Sequence, residues 1–257
     1  MNKHFRFLLI AGLLLFGCVA TLKKNPIRTE TAIPEVKRDT LTLFDSIRQR
    51  TIPIAVYGAD ERKKQPLVIF SHGYGANAPT GYLVYSYLTE FLASNGFFVV
   101  SIQHELATDS LIPTDGIPQI VRRPFWDRGA DNIHFVLNEL KKSHPDLDFQ
   151  HVSLIGHSNG GDMSALYPQK YPGLVSKIIT LDNRRMALPR TTFPAIYSLR
   201  SNDTPADEGV LPTEKEQQTL GITIIRLQNT GHSDMDDTGS TQQKRKINEY
   251  LLRFLKE

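Results

Sequence analysis

Residues 152–161 read VSLIGHSNGG. An apolar run ends in a serine, Ser158, with a glycine two positions away on either side, Gly156 and Gly160. Glycine inside an ordinary strand or helix costs roughly 0.5–1 kcal/mol relative to alanine. Two of them around one serine therefore point to a backbone that other residues cannot adopt.

The rest of the chain supplies the frame for that turn. Short β-rich runs alternate with helical patterns from residue 40 onward. LTLF (41–44) and TIPIAVYG (51–58) read as a hairpin. PLVIF, FFVVSI, VSLIG, VSKIITL, PAIYSLR and ITIIRLQ read as further strands, nearly all apolar. Residues 80–95, 125–144, 213–219 and 241–256 carry helical patterns, such as Ile133, Val136, Leu137 and Leu140 in the second. Continuous apolar strands separated by helices predict an α/β fold with a mostly parallel eight-stranded sheet covered on both faces, opened by an antiparallel pair. A chain of 257 residues holds one such core and not two comfortable domains. The expected domain is 40–257.

The first residues read differently. Lys3 and Arg6 precede an uncharged apolar run from Phe7 to Gly17, the pattern of a secretory signal, too short to span a bilayer comfortably. The chain has one cysteine, Cys18, at the end of that run. Leu15-Phe16-Gly17-Cys18 resembles the lipobox of bacterial lipoproteins, which implies lipidation at Cys18, residues 18–39 as a polar tether, and an exported, membrane-anchored protein of a cell envelope. Phe16 stands where smaller residues are usual. Removing residues 1–17 takes away Lys3 and Arg6 and no acid, so the formal charge falls from +3 to +1. That balance gives no electrostatic case for nucleic acid.

In parallel sheets ligands bind outside the carboxyl ends of the strands. Those ends carry Ser71-His72-Gly73-Tyr74-Gly75, Gln103-His104-Glu105, His157-Ser158, Asp182, Asn202-Asp203 and Gly231-His232. A G-x-S-x-G turn between strand and helix, followed in order by an acid and a histidine, resembles the α/β-hydrolase superfamily. The resemblance covers residues 40–257. It implies Ser158 as nucleophile and His232 as the base that takes its proton, with a carboxylate orienting the imidazole. It also implies an oxyanion hole from the N–H groups of Asn159 and Tyr74.

Two aspartates compete for the carboxylate. Asp203 lies 45 residues past Ser158, the commoner place in the superfamily and the one used by polyester hydrolases. Asp182 lies 24 residues past Ser158, as in the platelet-activating-factor acetylhydrolases. Asp203 is favoured and Asp182 is the alternative. His72, His104, His157 and His232 match no metal-binding spacing, so neither metal nor other cofactor is expected. Arg122, Arg123 and Arg128 around Trp126 could bind an anion or cap the loop before a helix.

The expected activity is hydrolysis of carboxylic esters through an acyl-enzyme, on a small-molecule or surface-presented ester. The resemblance is to the capless branch of acetylhydrolases, dienelactone hydrolases and polyester hydrolases, the dienelactone enzymes using cysteine where this chain has Ser158. An amidase or serine peptidase of the same fold, and a non-catalytic surface-binding lipoprotein, are the alternatives. Only residues 183–193 join two successive strands, too few for an inserted lid, so an open cleft without a large cap domain is expected. Among p-nitrophenyl esters, short acyl chains should then be turned over faster than long ones, and a clear preference for long chains would contradict the open cleft.

Overall fold

Eight strands form one sheet in the order β1-β2-β4-β3-β5-β6-β7-β8. The computed structural model describes Met1, residues 35–58 and residues 64–257. The expected signal, Cys18 and the first part of the expected tether lie outside the described residues. Strand β1 (Lys37–Asp45) pairs antiparallel with β2 (Arg50–Gly58), and β2 pairs antiparallel with β4 (Phe98–Ile102). Strands β3 (Pro66–Ser71), β5 (Asp148–His157), β6 (Lys177–Leu181), β7 (Ala195–Arg200) and β8 (Thr223–Arg226) complete a parallel run with β4.

The apolar strands are buried on both faces, and alternate residues serve different cores. Leu67, Ile69, Val100, Leu154 and Ile178 face one cluster, built with Trp126, Ile133 and Val136 of α3 (Arg123–Ser143) and Leu166 of α4 (Asn159–Lys170). Val68, Phe70, Val99, Ile155 and Ile179 face the other, built with Leu88 and Leu92 of α1 (Ser86–Ser94) and Ile247, Leu251 and Phe254 of α6 (Thr241–Lys256). Two short helices, α2 (Pro118–Val121) and α5 (Glu214–Leu220), lie in the connections before α3 and β8. Residues 182–194, between β6 and β7, contain neither helix nor strand.

Two boundaries differ from the sequence pattern. Strand β1 begins at Lys37, which pairs with Gly58, so residues 37–39 join the sheet rather than the tether. They are exposed on an edge strand, where charged side chains are tolerated. The helical pattern of 80–95 splits into a 3-10 turn over Gly81–Leu83 and α1. Helix α1 starts at Ser86 because the carboxylate of Asp237 accepts from Ser86 N, Ser86 Oγ and Tyr87 N at 2.9–3.0 Å. A cap from a residue so distant in sequence leaves no local signal.

Strand order positions the site. From β3 the chain goes to β4 on one side and later returns to β5 on the other, so the carboxyl ends of β3 and β5 flank the point where the winding reverses. There the backbones close up. A Cβ on Gly160 would collide with the carbonyl oxygens of Ser71 and His72, and one on Gly156 with the Gly160 carbonyl. None of those atoms is the movable end of a side chain. Gly160→Ala should therefore lower stability by about 3 kcal/mol, read as a drop in the urea midpoint of the full chain.

Candidate active site

Ser158 follows the last residue of β5 and forms the N-cap of α4 with φ 51° and ψ −118°. A non-glycine residue with positive φ is held there by its surroundings. Its N–H donates to Leu181 O at 2.9 Å, and its carbonyl accepts from Asp162 N at 3.0 Å. The side chain is half-buried at the strand ends.

His232 opens a 3-10 turn (His232–Met235) after β8 and meets Ser158 from across the sheet. Its Nε2 lies 2.9 Å from Ser158 Oγ, and its Nδ1 lies 2.6 Å from Asp182 Oδ2. An ionised carboxylate only accepts, so Nδ1 carries the proton and Nε2 is free to accept from the serine hydroxyl. A hydroxyl bonded to a neutral imidazole, itself held by a carboxylate, can be deprotonated as it attacks an electrophile.

The carboxylate on the imidazole is thus Asp182 and not Asp203, the aspartate favoured from sequence order. Asp182 follows β6, which pairs with β5, so it stands one strand from Ser158. Its side chain is 0% exposed, while that of Asp203 is 46% exposed. Asp203 has a different contact: its Oδ2 accepts from the backbone N of His232 at 2.9 Å. Both Ser201 Oγ contacts, 2.8 Å to Asp182 and 2.7 Å to Asp203, share one hydroxyl proton, so that proton serves one carboxylate at a time.

Burial alone would push the Asp182 carboxyl up. The hydrogen bond from His232, the Arg200 charge and the bonds from Ser201 N and Oγ outweigh it and hold the group well below the usual carboxylate range. Arg200 Nη2 sits 3.0 Å from Asp182 Oδ1, as an ion pair rather than an aligned hydrogen bond. Arg184 adds a bond from Nε at 3.1 Å. Arg200 and Ser201 were not among the residues singled out from sequence. Arg200 ends β7 and Ser201 follows it, but nothing in "SLRSND" distinguishes ligands of a carboxylate from loop residues.

Of the two expected oxyanion residues, Asn159 directly follows the serine, and Tyr74 lies in the loop after β3. Asn159 begins α4, where backbone N–H groups lack partners within the helix. Its side chain is wedged: Trp126 Nε1 donates to Asn159 Oδ1 at 2.8 Å, and Asn159 Nδ2 donates to Glu105 Oε1 at 2.9 Å. Burial pushes the Glu105 carboxyl up to about 7. Tyr74 lies in the loop after β3, where its hydroxyl accepts from Ile112 N at 3.0 Å and ties that loop to residues 105–117. Arg128 pairs with Asp109 at 3.4 Å and Arg123 with Asp127 at 3.0 Å, on α3 and the loop before it.

The other strand-end histidines are buried and neutral. Burial brings His72 down to about 4 and His157 to about 3, and pushes His104 well down. His72 Nε2 accepts from His104 N at 3.1 Å, so its nearby Glu105, at 3.6 Å, faces an unprotonated nitrogen and not a cation. Among the described residues no three His, Cys, Asp or Glu side chains are placed to hold a metal ion.

Residues 66–207 match the family described as alpha/beta hydrolase fold. No curated protein matches the chain. Solved structures similar to it include esterase Est22, with TM-score 0.64 and 14% identity over 86% of this chain and 81% of that one. The acylaminoacyl peptidase of Pyrococcus horikoshii superposes with TM-score 0.63 and 16% identity over 86% of this chain and 41% of that one. A dienelactone hydrolase-like promiscuous phosphotriesterase, P91, from metagenomic libraries superposes with TM-score 0.62 and 14% identity over 86% of this chain and 98% of that one. At such identities the likeness is one of fold.

Asp182→Asn leaves an amide where the imidazole needs an acceptor and should cut turnover of p-nitrophenyl acetate by about 10³–10⁴-fold. Asp203→Asn, which keeps an oxygen acceptor and loses charge beside the His232 N–H, Ser201 and Arg184, should cost about tenfold or less. The reverse order in steady-state assays would return the acid role to Asp203.

Proposed function

The chain belongs to the alpha/beta hydrolase family, and on that premise we propose that it is a serine hydrolase of carboxylic esters. The observation that carries this reading is the continuous line Asp182–His232–Ser158, with contacts of 2.6 and 2.9 Å. Ser158 Oγ attacks the ester carbonyl carbon while His232 Nε2 takes its proton. The carbonyl oxygen becomes an oxyanion, bound by the N–H groups of Asn159 and Tyr74. The C–O bond to the alcohol breaks as His232 returns the proton to the leaving oxygen, and the acyl group stays on Ser158. Water then attacks the acyl-enzyme with His232 again as base, and the carboxylic acid and the free serine result. Asp182 keeps the imidazole in the required tautomer and balances its charge when it is protonated.

The similar solved structures that are esterases support the choice of substrate. So does the connection 182–194, which inserts no helix beside the serine. An amide-cleaving reading finds support in the likeness to the acylaminoacyl peptidase. Export and anchoring through lipid at Cys18 complete the proposal and rest on the sequence of residues 1–18 alone.

A fluorophosphonate probe tests the reading directly. Wild-type protein should be labelled and Ser158→Ala should not. Absence of labelling in the wild type would reject a serine hydrolase, and equal turnover of anilide and ester analogues would move the assignment to the amide-cleaving alternative.

A further inference from the structure

His232 is held by its backbone as well as by its ring. Asp203 accepts from its N–H at 2.9 Å, and its carbonyl lies 3.1 Å from His157 Nε2. A carbonyl only accepts, so His157 carries its proton on Nε2. Its Nδ1 is then an acceptor, and Tyr85 Oη lies 2.7 Å away and donates to it. The same Tyr85 oxygen accepts from Gly73 N at 3.1 Å. Every donor and acceptor in this line has one permitted direction: Gly73 N–H to Tyr85, Tyr85 O–H to His157, His157 Nε2–H to His232 C=O.

The line joins three separate parts of the site. Gly73 precedes Tyr74 in the loop after β3, His157 precedes Ser158 in the turn after β5, and His232 carries the imidazole. Tyr85 and His157 are buried, 4% and 5% exposed, so water does not substitute for a lost partner freely. The fit is close. A Cβ on Gly73 would stand 3.0 Å from His157 Nδ1 and 3.1 Å from Tyr85 Oη. The segment after His232 is also docked on the helix that begins beside Tyr85: Asp237 caps α1, and Tyr87 Oη donates to Met235 O at 2.9 Å.

We propose that Tyr85 and His157 form a hydrogen-bonded brace that positions the His232 backbone relative to the loop carrying Tyr74, making Tyr85 a positioning residue for the reaction at Ser158. The proposal rests on the serine-hydrolase reading above. Neither residue touches the reacting atoms. Their function is to keep the base and one oxyanion donor in register, since a small displacement of either weakens interactions made only in the transition state. His157 accepts at Nδ1 only when neutral, and burial brings its pKa down to about 3.

The experiment uses the full chain with Tyr85→Phe, His157→Leu and His157→Gln. Thermal melts report folding, p-nitrophenyl acetate kinetics separate kcat from KM, and fluorophosphonate labelling gives the rate of attack by Ser158. Tyr85→Phe should lower kcat and the labelling rate by about tenfold or more, with KM held within about twofold. His157→Leu should lose at least as much, and His157→Gln, whose amide can still donate to the His232 carbonyl, should recover most of it. A folded Tyr85→Phe with wild-type kcat overturns the brace, as does a loss confined to KM. If Tyr85→Phe does not fold, the two His157 variants decide: recovery in the glutamine variant upholds the brace, and equal loss in both overturns it. Labelling of the wild type with an unchanged rate in Tyr85→Phe sinks the brace alone, whereas no labelling of the wild type sinks the serine-hydrolase reading and the brace with it.

Discussion

The close approach of α4 to the ends of β3 and β5 governs the rest of the site. Gly156 and Gly160 allow the first turn of α4 to sit against the carbonyls of Ser71 and His72 with no side chain between. That packing forces the chain to reverse within one residue, and Ser158 takes the positive φ that the reversal demands. The serine therefore stands at the rim where the sheet changes winding direction. The Asn159 side chain, next in the chain, is carried down into the buried bonds with Trp126 and Glu105. Position of the hydroxyl and position of its neighbouring N–H are consequences of one backbone contact.

Around that contact, polar groups are buried in two electrostatic forms. Asp182 stays ionised because Arg200, Arg184 and Ser201 supply charge and hydrogen bonds that outweigh its desolvation. The histidines His72, His104 and His157 have no such compensation and are neutral, each ring nitrogen acting in a defined direction where its partner permits only one. A low-dielectric surround strengthens every one of these bonds and makes each unpaired group expensive. The charged line and the neutral line meet at His232, whose ring belongs to the first and whose backbone belongs to the second.

Much of this was legible in the chain. The strands from β3 to β8 are continuous apolar runs, and such runs are what a sheet buried on both faces demands. The two faces could be read from alternation only once the sheet order was known, because both sets of residues are apolar. Helix α1 shows where local pattern stops: the apolar stripe runs from Leu83 to Leu92, but the start of the helix is set by Asp237, far along the chain. Strand β1 shows the converse, since Lys37, Arg38 and Asp39 look like linker and pair as an exposed edge.

For the site, the sequence by itself singled out Ser158 and His232, from a glycine-fenced serine after a strand and a histidine after the last strand, and the fold brings the two within 2.9 Å. It left two aspartates that chain order could not separate. The tertiary structure decided which of them meets the imidazole, by strand adjacency: β6 lies beside β5, so Asp182 reaches the ring from a fully buried position, while Asp203 reaches only the backbone N–H of His232. Tyr85 had no signal at all. Its place between Gly73 and His157 exists only when residues distant in sequence are brought to hydrogen-bonding distance, and such coincidences belong to the fold and not to any local pattern.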